Sequence, residues 1–135
     1  MNRLDLQKLS DLRLSESKAL LQAGFPDGAY YLAGYAVECA LKACIARQTK
    51  QHDFPDKELV SRSYTHKLQV LLDLAKLTDK LASDPTLRVV WVVLKNWSEE
   101  GRYRIEKTKQ QALELLLAIE DQTGGGFLPW VRNHW

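Results

Sequence analysis

The sequence predicts a single all-α domain, and three features of the chain lead to that prediction. Apolar residues recur at helical spacing through most of the 135 residues. The segment from Ala29 to Ala46 is apolar around nearly its whole circumference, as expected of a helix surrounded by others. Glycine and proline stand where the periodicity stops. We therefore predict one domain over residues 1–135, with a core at about residues 10–121 and a tryptophan-rich tail at residues 122–135.

The first two predicted helices meet near Gly24. Apolar residues at near-helical spacing mark the first helix: Leu4, Leu9, Leu12, Ala19 and Leu20. Pro26 follows, and Asp27 is a natural first-turn or capping residue of the second helix. Small residues surround that second helix: Ala29, Ala33, Gly34, Ala36, Ala40, Ala43 and Ala46. Because small residues let neighbours approach closely, we predict that this helix is the buried centre of the domain.

The later elements are predicted from the same signals. A polar stretch from Gln48 to Ser63 indicates a loop, and a third helix is expected from about Tyr64 to Leu81. Ser83 or Asp84 before Pro85 indicates a further helix start. The valine-rich run that follows is predicted to be helical, because a lone strand would have nothing to pair with. A last helix is expected from about Tyr103 to Asp121, with the remaining tail folded back onto the domain.

Composition limits the classes of function. A formal net charge of +2 excludes a bulk polycation, so any nucleic-acid contact requires a local patch. Cys39 and Cys44 lie about 140° apart on one helix, which favours buried, reduced thiols. No Cys/His spacing resembles a zinc site, and neither a signal peptide nor a membrane-spanning stretch is evident. We expect a cytoplasmic protein without metal or cofactor.

Two polar clusters could carry chemistry. Near the start of the last helix, four basic residues could bind phosphate or form a salt-bridged, solvated surface with neighbouring glutamates: Arg102, Arg104, Lys107 and Lys109. Glu38 and Lys42 interrupt the central helix at a spacing that allows an ion pair. They form either a structural pair or part of a cleft in which Glu38 faces Arg102 or Arg104.

The histidines and tyrosines are weaker candidates. His52, His66 and His134 are scattered along the chain, and each is more often structural or exposed than catalytic. Tyr30, Tyr31 and Tyr35 are expected to lie in the core or at a subunit interface.

Several motifs together resemble the HEPN family, the higher eukaryote and prokaryote nucleotide-binding domains. The segment Ala-Tyr-Tyr-Leu-Ala-Gly-Tyr-Ala-Val-Glu-Cys-Ala-Leu-Lys-Ala, residues 29–43, resembles the second helix of that family. In order, Tyr64-Thr-His-Lys-Leu68, Trp97-Ser-Glu99 and Arg102-Tyr103 also agree. The resemblance covers about residues 10–120.

The resemblance implies an antiparallel bundle of four to five helices that often dimerises. It also implies nucleotide or RNA transactions, often beside a minimal nucleotidyltransferase in a toxin–antitoxin pair. Many members are metal-independent ribonucleases with an arginine followed, after four to six residues, by a histidine. Residues 107–109 and 109–111, where that histidine would follow Arg102 or Arg104, contain none. Arg47 and His52 have the spacing but stand at the end of the second helix, the wrong place.

The hypothesis is therefore a HEPN-type homodimer that binds nucleotide or RNA phosphate without efficient hydrolysis. Arg102 and Arg104 would bind phosphate, Glu38 would orient one arginine, and Tyr103 would line the cleft. One alternative is an active ribonuclease toxin that recruits His66 or His134. A second alternative is a non-catalytic adaptor whose apolar faces bind another protein.

Overall fold

The computed structural model describes residues 1–49, 53–121, 123 and 125–135. All regular secondary structure in these residues is helical, so the all-α prediction is confirmed. The elements in order are α1 (Arg3–Gln22), α2 (Pro26–Ala46), α3 (Lys57–Arg62), α4 (Leu68–Leu74), α5 (Thr78–Ala82), α6 (Pro85–Leu94), a 3₁₀ helix (Glu99–Tyr103), α7 (Lys109–Glu120) and α8 (Phe127–Val131).

Helices α1 and α2 form a hairpin whose turn is specified by local sequence. Gly24 adopts a φ of 90° just after α1, a conformation that costs glycine little. The Gly24 and Phe25 amides donate back to the last turn of α1, and this pattern satisfies two of its free carbonyls. Two buried serines of α1 then join the helices: Ser10 Oγ donates to the Ala36 carbonyl at 2.7 Å, and Ser17 Oγ donates to the Ala29 carbonyl at 2.6 Å. The predicted end of the first helix is confirmed.

Helix α2 is the centre of the bundle, as its composition predicts. It contacts α1, α4, α7, α8 and the 3₁₀ helix. Its buried side chains are mostly small, which allows five elements to pack around one axis. At its amino end, Asp27 is a first-turn residue, and its carboxylate accepts the backbone amides of Glu106 and Lys107 at 3.0 and 2.9 Å. That contact fixes the segment before α7 against α2.

The region between α2 and α6 differs from the prediction in two ways. The expected loop contains α3, which begins because the Asp56 carboxylate accepts the amides of Glu58 and Leu59. The expected single helix from Tyr64 to Leu81 is wrong: α4 begins only at Leu68, and the chain breaks before α5 at Lys76, whose φ is 60°. A left-handed residue ends a helix whatever the apolar periodicity around it.

The last third of the chain combines confirmed and corrected predictions. Asp84 caps α6 with Pro85 in its first turn, so the valine-rich run is helical as predicted. The last long helix begins at Lys109 rather than Tyr103, because Thr108 and Gln111 form a capping box there. The tail folds back as expected, and Phe127 lies 5.3 Å from Trp91, ring centre to ring centre.

Two further expectations concern the thiols and the membrane. Cys39 and Cys44 are both buried free thiols, as predicted. Within the described parts of the chain, none of the helices combines the length and the apolar character that crossing a bilayer requires.

Candidate functional site

One side of α2 gathers most of the polar and aromatic residues that the sequence singles out. Tyr31, Tyr35, Glu38 and Lys42 follow each other at intervals of four, three and four residues, which keeps them on one side of a helix. We call these four residues the α2 face. They extend over about 16 Å along the helix axis, because each residue rises 1.5 Å. The 3₁₀ helix approaches one end of this face, and the start of α4 approaches the other.

Glu38 lies at the carboxyl half of the α2 face and is almost completely buried, with 1% of its surface exposed. Its carboxylate is 3.3 Å from Lys42 Nζ, so the predicted Glu38–Lys42 ion pair is confirmed. Its other oxygen lies 2.7 Å from His66 Nδ1, just before α4. Two hydrogen-bond donors therefore compensate the cost of burying this carboxylate.

The Glu38–His66 contact fixes which histidine nitrogen is available. An ionised carboxylate can only accept, so His66 Nδ1 carries a proton and donates it. In the neutral ring, Nε2 is then the free acceptor. The His66 side chain is 45% exposed, so this nitrogen can reach solvent or a ligand. A histidine oriented by a buried carboxylate is the arrangement that general acid–base catalysis uses.

Glu38 does not orient an arginine, and that part of the prediction is wrong. Its carboxylate is held by Lys42 and His66. Arg104 is instead paired locally, 3.3 Å from Glu100 and 3.5 Å from Glu106. The physical reason is reach: α7 begins five residues after Arg104, and the intervening segment is tied to Asp27 at the amino end of α2.

Arg102 is the basic residue that meets the α2 face. Its guanidinium lies 4.8 Å from the centre of the Tyr103 ring, and the side chain is exposed. Hydrogen bonding to Tyr31, and then to Tyr103, raises the pKa of Arg102 above its usual value. No ion pair of Arg102 with a carboxylate is present among the described residues. Its charge is thus positioned by aromatic groups and left available to an anion.

Trp97 packs against Tyr31, at the end of the α2 face that the 3₁₀ helix approaches. Its indole is 5% exposed and stacks on Tyr31, with ring centres 6.1 Å apart and an angle of 21° between the planes. Gly34 makes the position possible, because a Cβ atom there would lie only 2.1 Å from Trp97 Nε1. The glycine thus lets the indole lie against the α2 backbone, and the indole in turn positions Tyr31.

The other predicted cations are more dispersed than expected. Lys107 lies over the Tyr30 ring at 4.4 Å, while Lys109 is exposed in the first turn of α7. Arg13 of α1 lies 5.9 Å from the centre of the Tyr35 ring and also pairs with Glu16. Of the four predicted cations, Arg102 and Lys107 thus each lie over a different tyrosine ring.

The remaining histidines lie elsewhere. His134 packs edge-on against Trp130, with ring centres 5.2 Å apart, near the carboxyl end of the chain. Burial, with Lys80 and Arg47 nearby, lowers the pKa of His134. His52, the partner in the discounted Arg47 spacing, lies outside the described residues.

The sequence identifies Glu38 and His66 separately but not as a pair, because 28 residues separate them. The available signal was physical: a carboxylate in the most buried helix requires more than one donor.

Within the described ranges, no group of three or more metal-ligating side chains is arranged to hold an ion. Comparison with protein-family models, with curated proteins and with solved structures gives no match.

Proposed function

We propose that this chain is a HEPN-type helical domain that binds nucleotide or RNA phosphate through Arg102. The observation that carries the proposal is the exposed Arg102 guanidinium, which lies 4.8 Å from the centre of the Tyr103 ring and has no carboxylate partner in the described residues. A planar guanidinium binds phosphate oxygens through parallel hydrogen bonds, and neighbouring aromatic rings offer stacking surfaces to bases. Tyr103, 77% exposed, is the ring best placed to contact a base.

A second observation supports the family reading. The separate sequence motifs that resemble HEPN domains meet along one helix: His66 contacts Glu38, Trp97 lies against Gly34, and Arg102 contacts Tyr31. Their convergence is what a shared site would require, although the motifs are far apart in the chain. Homodimerisation and a minimal nucleotidyltransferase partner belong to the same proposal and rest on the resemblance alone.

Arg104 has a lesser role in this proposal than Arg102. It lies near Arg102, but Glu100 and Glu106 share its charge. A phosphate would therefore have to compete with two carboxylates for this guanidinium. Arg104 strengthens the local field without being the principal contact.

Charge reversal tests the proposal. The variant R102E/R104E should lose at least about tenfold in affinity for a short single-stranded RNA or for ATP, since one phosphate contact is lost and repulsion replaces it. The matched control is R88E/K95E, which makes the same charge change at two exposed positions, one in α6 and one directly after it. Titration by fluorescence anisotropy measures both. Equal affinity of R102E/R104E and R88E/K95E would refute the assignment of this site.

The Glu38–His66 contact favours a second candidate function, a metal-independent ribonuclease. With Nδ1 held by Glu38 at 2.7 Å, His66 Nε2 could accept the proton of an RNA 2′-hydroxyl as its oxygen attacks the neighbouring phosphorus. A 2′,3′-cyclic phosphate would form, the bond to the 5′-oxygen would break, and the protonated His66 would return its proton to that leaving oxygen. Arg102 lies beside Tyr31, about 10 Å from Glu38 along the α2 axis, so it would hold a neighbouring phosphate of the same strand rather than the reacting one. This candidate uses a histidine outside the family's arginine–histidine spacing.

Cleavage of RNA in the presence of EDTA distinguishes the two candidates. The ribonuclease reading expects cleavage that H66A abolishes and H134A leaves intact, because His134 packs on Trp130 away from Glu38. The binding reading expects intact RNA with the unmodified protein. Cleavage that persists unchanged in H66A would refute the proposed role of His66.

A further inference from the structure

A groove separate from Arg102 lies between α1, α2 and α3. It has a volume of about 820 Å³, within the range of small-molecule sites. It is lined by the rings of Tyr35 and Tyr64 and by aliphatic side chains of α1, the carboxyl half of α2 and α3: Leu6, Leu9, Ile45, Leu59 and Val60. The aliphatic side chains favour a ligand with a hydrocarbon body.

Helix α3 explains why the groove is open. It contributes no buried side chain to the protein, although Leu59 and Val60 line the groove. Val60 is 38% exposed, so apolar area on this helix still faces water. A ligand that filled the groove would cover that area and would add to the stability of α3.

The charges that line the groove favour an anion. Its described lining contains the cations Arg3 and Lys42 and one carboxylate, Glu38. Glu38 and Lys42 form an ion pair, so their charges largely offset each other, and Arg3 leaves these three side chains with a net positive charge. The Lys42 ammonium has three donors, of which Glu38 uses one, and its side chain is 22% exposed.

We infer that this groove binds an amphipathic monoanion, a carboxylate with an unbranched aliphatic tail of the fatty-acid class. The carboxylate contacts Lys42 at the floor, with Arg3 adding attraction at the α1 end. The tail lies between the aliphatic side chains of α1 and α3. Each methylene removed from water strengthens binding by up to about fourfold, so affinity should increase with the length of the tail.

Isothermal titration with dodecanoate tests the inference. We expect saturable one-to-one binding, at least about tenfold weaker binding of octanoate, and at least about tenfold weaker binding of dodecanol, which lacks the charge. In K42M, dodecanoate and dodecanol should bind with similar affinity. Failure of dodecanoate to bind, or equal binding of dodecanol by the unmodified protein, would overturn the inference.

Two aspartate substitutions locate the site. V60D places a like charge in the groove and should weaken dodecanoate binding at least about tenfold, whereas V89D, a similar change on exposed α6, should not. Far-ultraviolet circular dichroism verifies that both variants fold. R102A should leave dodecanoate affinity unchanged, so failure here and failure of the phosphate proposal are separate results. Equal weakening by V60D and V89D, or loss of binding in R102A, would place the ligand elsewhere.

Discussion

Replacing Gly34 by alanine would place a methyl group 2.1–2.2 Å from three atoms of the Trp97 indole. Carbon atoms in contact normally lie about 3.5–4.0 Å apart, so the ring must move by more than about 1 Å. The indole is 5% exposed and stacks on Tyr31, which restricts small adjustments. The substitution therefore tests whether the central helix and the Trp97–Tyr31 stack depend on this glycine.

The magnitude follows from two opposing effects. Alanine in a helix interior is favoured over glycine by about 1 kcal/mol. Overpacking costs about 1–3 kcal/mol if the indole adjusts, and complete expulsion would return about 150–250 Å² to water, or about 4–6 kcal/mol. The indole must move farther than a small adjustment allows, but by less than the length of the ring. We expect G34A to lower the free energy of unfolding by about 2–4 kcal/mol, between these limits.

Urea denaturation followed by far-ultraviolet circular dichroism measures this change, and G28A is the matched control. Gly28 is also in α2, but a Cβ there meets only the flexible end of the Leu20 side chain at 3.2 Å. We expect G28A to be neutral or to stabilise the protein by up to about 1 kcal/mol. If G34A were as stable as the unmodified protein, or matched G28A, the argument from the Trp97 contact would be wrong.

Three further predictions follow from the fold. D27A should lower the free energy of unfolding by about 1–2 kcal/mol, because the Asp27 carboxylate accepts hydrogen bonds from the amides of residues 106 and 107. These two amides should also lose their protection from hydrogen exchange, and retained protection would contradict the prediction. Burial raises the pKa of Cys39 and Cys44 to about 12, so neither thiol should react with a disulfide reagent at pH 8 until the protein unfolds. Rapid reaction of either thiol in the folded protein would contradict its buried position. Burial lowers the pKa of His134 below its unfolded value of about 6.5, so the unfolded chain binds the proton more readily. The free energy of unfolding should therefore fall as the pH drops below about 6.5, and it should fall less steeply in H134Q. Identical pH profiles of the two proteins would refute this.

Much of the helical architecture is predictable because local signals specify it. The Asp84–Pro85 start of α6 and the Gly24 turn are encoded by adjacent residues. Periodicity could not locate the break at Lys76, since its left-handed conformation is one that lysine does not favour and that the spacing of apolar residues does not report. The start of α7 does carry a local signal, the Thr108–Gln111 capping box, and Asp27, about 80 residues earlier, also holds the preceding segment against α2.

The candidate site is less predictable than the fold. The i,i+4 spacing indicates the Glu38–Lys42 pair directly. The Glu38–His66 contact joins α2 to the segment just before α4, and no local pattern specifies their approach. Arg102 and Arg104 look equivalent in sequence, yet the structure gives Arg104 two carboxylate partners and places Arg102 against tyrosines. Differences of this kind depend on the path of a short irregular segment.

The salt dependence of RNA binding tests the central claim most directly. Affinity for a single-stranded RNA falls with salt in proportion to the number of phosphates that the protein neutralises, by about 0.7 in the logarithmic slope per contact. We predict that R102A reduces that slope by about 0.7 and lowers affinity about tenfold at low salt, while R88A changes neither. An unchanged slope and affinity in R102A would contradict the proposal that Arg102 binds phosphate.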